Sequence, residues 1–195
     1  MRKIFLLLIV LFISGCAIKT HQINSYDLES KINLHFNKKY PNRVLMVDYP
    51  NSLGPFGGSK IYYKRDGITS YYLYSKWSES LNKMVYKQLL SSLEDANLFK
   101  SVVGFNSTAK ADTVLETNIE SFYHIVKDDN SYADIEIAVK LIDANSGKVI
   151  NSKKYIYNLI MQEANAKEFR AKAKEALKRF TKELIEDLAN KNLLR

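Results

Sequence analysis

The sequence predicts a mixed α/β (α+β) domain, a two-layer sandwich. Two amphipathic helices pack on one face of a largely antiparallel sheet of about six or seven strands. Three observations predict it. Apolar residues recur at three- and four-residue spacing in two windows. One runs through Trp77, Leu81, Met84, Val85, Leu89 and Leu93, the other through Phe169, Ala173, Ala176, Leu177, Phe180, Leu184 and Leu188. Between them, Ala133, Ile135, Ile137, Val139 and Leu141 alternate with Asp134, Glu136 and Lys140, as a strand with one buried face requires. Asp66-Gly67 and Asp143-Ala144-Asn145-Ser146-Gly147 join strand-like runs through tight hairpin turns. A helix with an apolar stripe needs an apolar surface, and a one-faced sheet supplies it.

The chain opens on Arg2 and Lys3, followed by the apolar run Ile4 to Ile13 and then Ser14-Gly15-Cys16. Ten helical residues reach about 15 Å, half of a hydrocarbon core. That is short for a membrane span but right for a secretory signal, with its charged start, apolar middle and small residues at the cut. Ile13-Ser14-Gly15-Cys16 resembles the bacterial lipobox. Residues 1–15 are therefore expected to be removed, and Cys16 to carry a diacylglycerol and an N-acyl chain. Cys16 is the only cysteine, so neither a disulfide nor free-thiol chemistry is expected. No other cofactor is implied. Ala17 in place of an aspartate favours the outer membrane, by resemblance to sorted lipoproteins.

Loss of Arg2 and Lys3 lowers the net charge from +8 to +6. The basic residues are dispersed, and those between Lys167 and Lys182 alternate with Glu168, Glu175 and Glu183, as on a solvated helix face. No nucleic-acid site is expected. Residues 16–42 read as a flexible tether, with a short strand near 32–36, and residues 43–195 as a single periplasmic domain. Its expected strands are 44–49, 60–65, 70–75, 100–103, 112–126, a run through 133–141, and 148–157. The helices are expected at 78–96, with Ser78 as N-cap, and 164–190. Asn51 to Ser59, with Gly54, Pro55, Gly57 and Gly58, is a loop.

Catalytic patterns are sparse. His21, His35 and His124 are far apart in the chain, without metal-ligand spacing. No glycine-rich turn leads from strand to helix, and no nucleophile elbow is present. Asp112 and Asp134 could be drawn as a carboxylate pair, but solvated strand residues or turn caps explain them as well. No enzyme is expected. The informative cluster is aromatic: Tyr62, Tyr63, Tyr71, Tyr72, Tyr74 and Trp77. Tyrosine suits half-buried strand faces, and equally protein interfaces. Core packing and a partner interface both account for it.

Leu45-Met46-Val47, the Gly/Pro loop, Ile61-Tyr62-Tyr63-Lys64-Arg65 and Tyr71-Tyr72 leading to Trp77 resemble the ABC-type transport auxiliary lipoprotein family. The pattern continues through Leu93, Leu98-Phe99, Val102, Ala111-Asp112, Leu115, Ile119 and Phe122 to the Asp143–Gly147 turn and the final helix. The resemblance covers about residues 26–190. The final helix departs from it in lacking a tryptophan near its end, and the region before Val44 is longer and more polar.

What the resemblance implies is a non-enzymatic lipoprotein at the periplasmic face of the outer membrane. It would be the docking partner of a mammalian-cell-entry (MCE) tube protein and its ABC permease in lipid transport, and a tubular partner invites a ring of copies. The expected contact comprises Tyr62, Tyr63, Tyr71, Tyr72, Trp77, Gly57 and Gly58. Competing readings are a lipopolysaccharide-assembly partner of an outer-membrane barrel, an activator of peptidoglycan synthases, and a lipid hydrolase or transferase.

Overall fold

The computed structural model describes residues 22–128 and 130–190; the expected signal peptide, Cys16 and His21 lie outside them. The described residues form nine strands in one sheet and two α-helices. In chain order they are β1 (Asn24–Tyr26), β2 (Tyr40–Val47), β3 (Asn51–Ser52), β4 (Lys60–Arg65) and β5 (Ile68–Trp77). Then come α1 (Leu81–Ala96), β6 (Phe99–Gly104), β7 (Thr113–Lys127), β8 (Asn130–Asp143), β9 (Val149–Met161) and α2 (Ala166–Asn190). A 3-10 turn, Pro55–Gly57, separates β3 from β4.

The long strand β7 organises the sheet. Along one edge it pairs antiparallel with β8, which pairs antiparallel with β9. Its other edge is shared by β2, β3 and β4 in succession, all parallel to it. Beyond β2 lies β6, also parallel, and beyond β4 lie antiparallel β5 and then parallel β1.

The sheet is thus mixed, with nine strands, and the expectation of a largely antiparallel sheet of six or seven is corrected. The two hairpins marked by local sequence, β4–β5 and β8–β9, are antiparallel, as is β7–β8, which no turn signal anticipated. The parallel pairs follow from chain direction. The Pro50 and Gly54-Pro55 breaks carry the chain onward along β7 without turning it back, so each short strand enters with the same heading.

Both helices bury the stripes read from the sequence. Leu81, Met84, Val85, Leu89 and Leu93 of α1 are inside, as are Phe169, Ala173, Ala176, Leu177, Phe180, Leu184 and Leu188 of α2. The N-cap of α1 is Ser80, whose side chain accepts from Lys83 N–H, and not Ser78. Strand β5 runs on to Trp77, and Ser78 N–H donates to Tyr26 C=O, so Ser78 is still tied to β1 before the helix begins. Asn97 ends the helix in the left-handed region at φ 57°, its N–H donating to Glu94 C=O. At the start of α2, Asn165 accepts from Glu168 N–H while the Glu168 carboxylate accepts from Gln162 and Glu163 N–H. No helix of the described residues is long and apolar enough to cross a membrane.

The stretch read as a tether up to residue 42 is, over its described part, laid onto the domain. Leu28 and Ile32 are buried, and Ser30 exchanges two 2.8 Å hydrogen bonds with the Gln88 side chain. Phe36 N–H donates to Ala96 C=O, and Arg170 reaches Asp27 C=O. Residues 32–36 form no strand. The backbone of Phe36 is served by Ala96 and Asn97 at the end of α1 rather than by a sheet neighbour. The polar composition that suggested a tether belongs to a strap whose few apolar residues are spaced to point inward.

Candidate interaction surface

Strand alternation divides the aromatic cluster between the two faces of the sheet. Ile61, Tyr63 and Tyr72 point towards the helices, while Tyr62 and Tyr71 point away. On β7 the same alternation turns Phe122 and His124 inward against Phe169 of α2, and Tyr123 outward. Tyr71 and Lys76 stand five positions apart, but their partners Tyr62 and Lys60 only two. This bulge shifts the parity of β5 and sends Trp77 into the core.

Trp77 is 2 % exposed and packs at 6.0 Å from both Phe122 and Phe169. Its place among the expected contact residues is therefore corrected: it is a core residue. Tyr63 and Tyr72 also turn from the outer face, their rings tilted at 53° with centroids 5.2 Å apart. Tyr62 and Tyr71 remain on the helix-free face, with rings 6.2 Å apart. Gly57 and Gly58 are exposed beside them, in the turn whose Phe56 packs 4.8 Å from Tyr123 and 6.4 Å from Tyr62. A Cβ on Gly54 would lie 2.4 Å from the Phe56 ring, so glycine is what lets this turn close.

Two lysines complete the outer cluster. Lys60 Nζ lies 3.9 Å from the Tyr71 ring centroid, and Lys64 Nζ lies 3.8 Å from that of Tyr123. Farther along the same face Lys154 pairs with Glu120 and Glu136. The outer face thus has an aromatic half and a charged half. Burial pushes the Tyr123 hydroxyl pKa up, helped by Tyr62 and Asp134, so the aromatic half is neutral apart from its lysines.

The inner face holds an arrangement that the sequence reading missed. His124 Nδ1 is 2.6 Å from the Tyr72 hydroxyl, and its Nε2 is 2.6 Å from Ser131 Oγ. A cavity of about 280 Å³ beside it is lined by Tyr63, Arg65, Tyr72, Leu73 and Ala164. The sequence hid it: parity counted from Leu115 and Ile119 puts His124 on the outer face, and a bulge between Ile119 and Ser121 turns it inward.

A serine beside an imidazole invites a catalytic reading, and the electrostatics oppose it. Burial, and then the positive charge of Arg65, pushes the His124 pKa down to about 4. A base that weak takes little of a serine hydroxyl's proton at neutral pH. The third member is a phenol whose own pKa is pushed up to about 12 by burial, not a carboxylate that would strengthen the base.

The sequence-drawn carboxylates have separate tasks. Asp112 accepts from Val44 N–H and Asp134 from the Ser121 hydroxyl. His35 contacts Asp95 C=O at the surface. Among the described residues no three metal-ligating side chains converge.

Several solved structures share the fold. A crystal structure of a Xanthomonas campestris protein superposes with a TM-score of 0.70 at 18 % identity, covering 83 % of this chain and 92 % of that one. A second crystal structure, of an uncharacterized protein, gives 0.63 at 15 % identity, covering 86 % and 99 %. A neuraminyllactose-binding hemagglutinin homolog from Helicobacter pylori gives 0.51 at 12 % identity, covering 85 % and 95 %. At these identities the likeness is one of fold. No curated protein matches the sequence. The model of the ABC-type transport auxiliary lipoprotein component matches residues 26–185, from β1 into the last turns of α2, and the chain belongs to that family.

Proposed function

We propose that this chain is the lipid-anchored docking component of an MCE-type ABC lipid transport system. In this reading Cys16 is acylated and held in the outer membrane, and the domain receives the end of the tube protein that rises from the inner-membrane transporter. The observation that carries the reading is the outer aromatic half-face. Tyr62 and Tyr71 lie on a side of the sheet that neither helix covers, and Tyr71 is 37 % exposed; Gly57 and Gly58 are exposed at its edge, where Gly58 C=O accepts from Leu81 N–H at the start of α1. Tyrosines with lysines above them suit a wet, reversible protein contact.

Family membership supplies the transport context. Two or three acyl chains give stable anchoring. Confinement to a thin layer raises the domain's effective concentration for a partner arriving from the other membrane, with no added contact. The chain supplies position and surface, and the energy for lipid movement comes from the transporter.

The test is co-purification of the tagged, membrane-extracted protein with the tube protein and its permease. Co-elution, lost when Tyr62→Ala and Tyr71→Asp are combined in a protein that still unfolds cooperatively, supports the reading. Co-elution with a barrel or a peptidoglycan synthase, and not with an MCE protein, overturns it.

A further inference from the structure

Among the described residues, four large apolar side chains are more than two-thirds exposed: Leu53, Ile68, Leu73 and Ile160. Two of these, Ile68 and Ile160, lie at one end of the sheet, and Leu73 lies farther up β5. Ile68 pairs with Arg65, Arg65 with Val126, Val126 with Ser131 and Ser131 with Met161, the neighbour of Ile160. Leu73 joins them through the cavity it shares with Arg65, Val126 and Ala164. Ile68 and Ile160 therefore mark two corners of this end, four strand spacings or roughly 19 Å apart. Tyr74, 49 % exposed, lies on the same edge strand.

The chain reaches the fold beside this end. Strand β1 begins at Asn24, paired in parallel with Ser75, so its heading places preceding residues towards Tyr74, Leu73 and Ile68. Eight residues separate Cys16 from Asn24, a span of about 28 Å at most. Across the bulge, Lys76 and Ile68 face Lys60 and Arg65, five positions or about 17 Å apart along β4, so Asn24, opposite Ser75, lies within about 17 Å of this end. An anchor at Cys16 can thus reach past this end of the sheet. The opposite end, where the Asp143–Gly147 turn lies, stands a further strand length away.

We infer that the sheet end carrying Ile68, Leu73, Tyr74 and Ile160 rests on the bilayer surface and fixes the orientation of the domain beneath its anchor. This rests on the lipoprotein reading above. The occupant is the bilayer because the leash brings it there and because the exposed side chains at this end are aliphatic. Arg65 and Lys127 are offset by Asp66 and Asp128, so the contact is apolar and needs no anionic lipid. It leaves Tyr62 and Tyr71 free at the side for a protein partner.

The experiment uses the full acylated protein in phosphatidylcholine vesicles containing doxyl-labelled lipid. A nitrobenzoxadiazole probe is placed in turn at Leu73→Cys, Ile160→Cys and Asn145→Cys, the last in the far turn. The expected result is quenching about twofold or more stronger at positions 73 and 160 than at 145, as for side chains seated at headgroup depth, and unchanged by salt. Equal quenching at the three positions, with mass spectrometry showing acylated Cys16, overturns this inference and leaves the lipoprotein reading standing. Protection of positions 73 and 160 in detergent, without vesicles, reveals a protein interface and also overturns it. An unacylated Cys16 removes the lipoprotein reading and the orientation with it.

Discussion

The hydroxyl of Tyr72 lies 2.6 Å from Nδ1 of His124, and the two rings stack with their planes 3° apart. Ser131 closes the other side of the imidazole. A neutral ring has one N–H and one bare nitrogen, and two hydroxyls satisfy both. A protonated ring would bury a charge beside Phe169 with Arg65 nearby. The triad joins β5, β7 and β8 beneath α2, and its surroundings favour the uncharged ring.

A pH dependence follows. The folded-state pKa of His124 is pushed down to about 4, against about 6.5 in an unfolded chain. Between those values the unfolded chain binds a proton that the fold refuses. The contribution is complete above about pH 6.5 and is lost as pH falls towards 4. Denaturation at pH 7 and pH 5 should show a loss of about 2 kcal/mol from this group. His124→Asn should remove that part of the slope. Parallel curves for the two proteins would show that His124 is not its source.

Trp77 and Tyr71 stood together in the sequence cluster and should separate under mutation. Trp77→Ala empties a site between Phe122 and Phe169 and should cost about 3–5 kcal/mol. Tyr71→Asp, at an exposed position, should change stability by about 0.5 kcal/mol or less while weakening partner binding. Chemical denaturation reads both. A large loss of stability for Tyr71→Asp would mean that its ring is structural.

Gly54 has a steric role that its sequence context alone did not reveal. A Cβ there meets Cε2 of Phe56 at 2.4 Å. Gly54→Ala should therefore displace Phe56 from Tyr123 and cost about 1–3 kcal/mol. Gly58→Ala has open space at its Cβ and should be nearly silent. Equal effects at the two positions, measured by thermal unfolding, would show that the turn relaxes freely.

Both helices and the strands of the β7–β8–β9 meander were legible because their signals are local: 3.6-residue and two-residue periods, with turn residues between β8 and β9. What was not legible depends on partners distant in sequence. Strand β1 has three residues and exists because Ser75, Lys76 and Trp77 pair with it. Strand β3 has two and exists because β7 is long enough to accept it. The strap over residues 27–39 reads as polar linker, since only Leu28 and Ile32 are deeply buried and its hydrogen bonds go to Gln88, Ala96 and Asn97. The tyrosine cluster was visible, but not its division between faces. A bulge in β5 reverses the parity between Tyr71 and Trp77, and counting from either residue alone misplaces the other.

The central claim is that the aromatic half of the outer face meets an MCE tube protein. The most direct measurement is photocrosslinking in growing cells, with benzoylphenylalanine at Tyr71 and, as reference, at Asn145 in the far turn. The predicted result is capture of the tube protein from position 71 and none from position 145. Capture from position 145 and not from 71, or no MCE protein from either in cells that contain the system, would contradict the account.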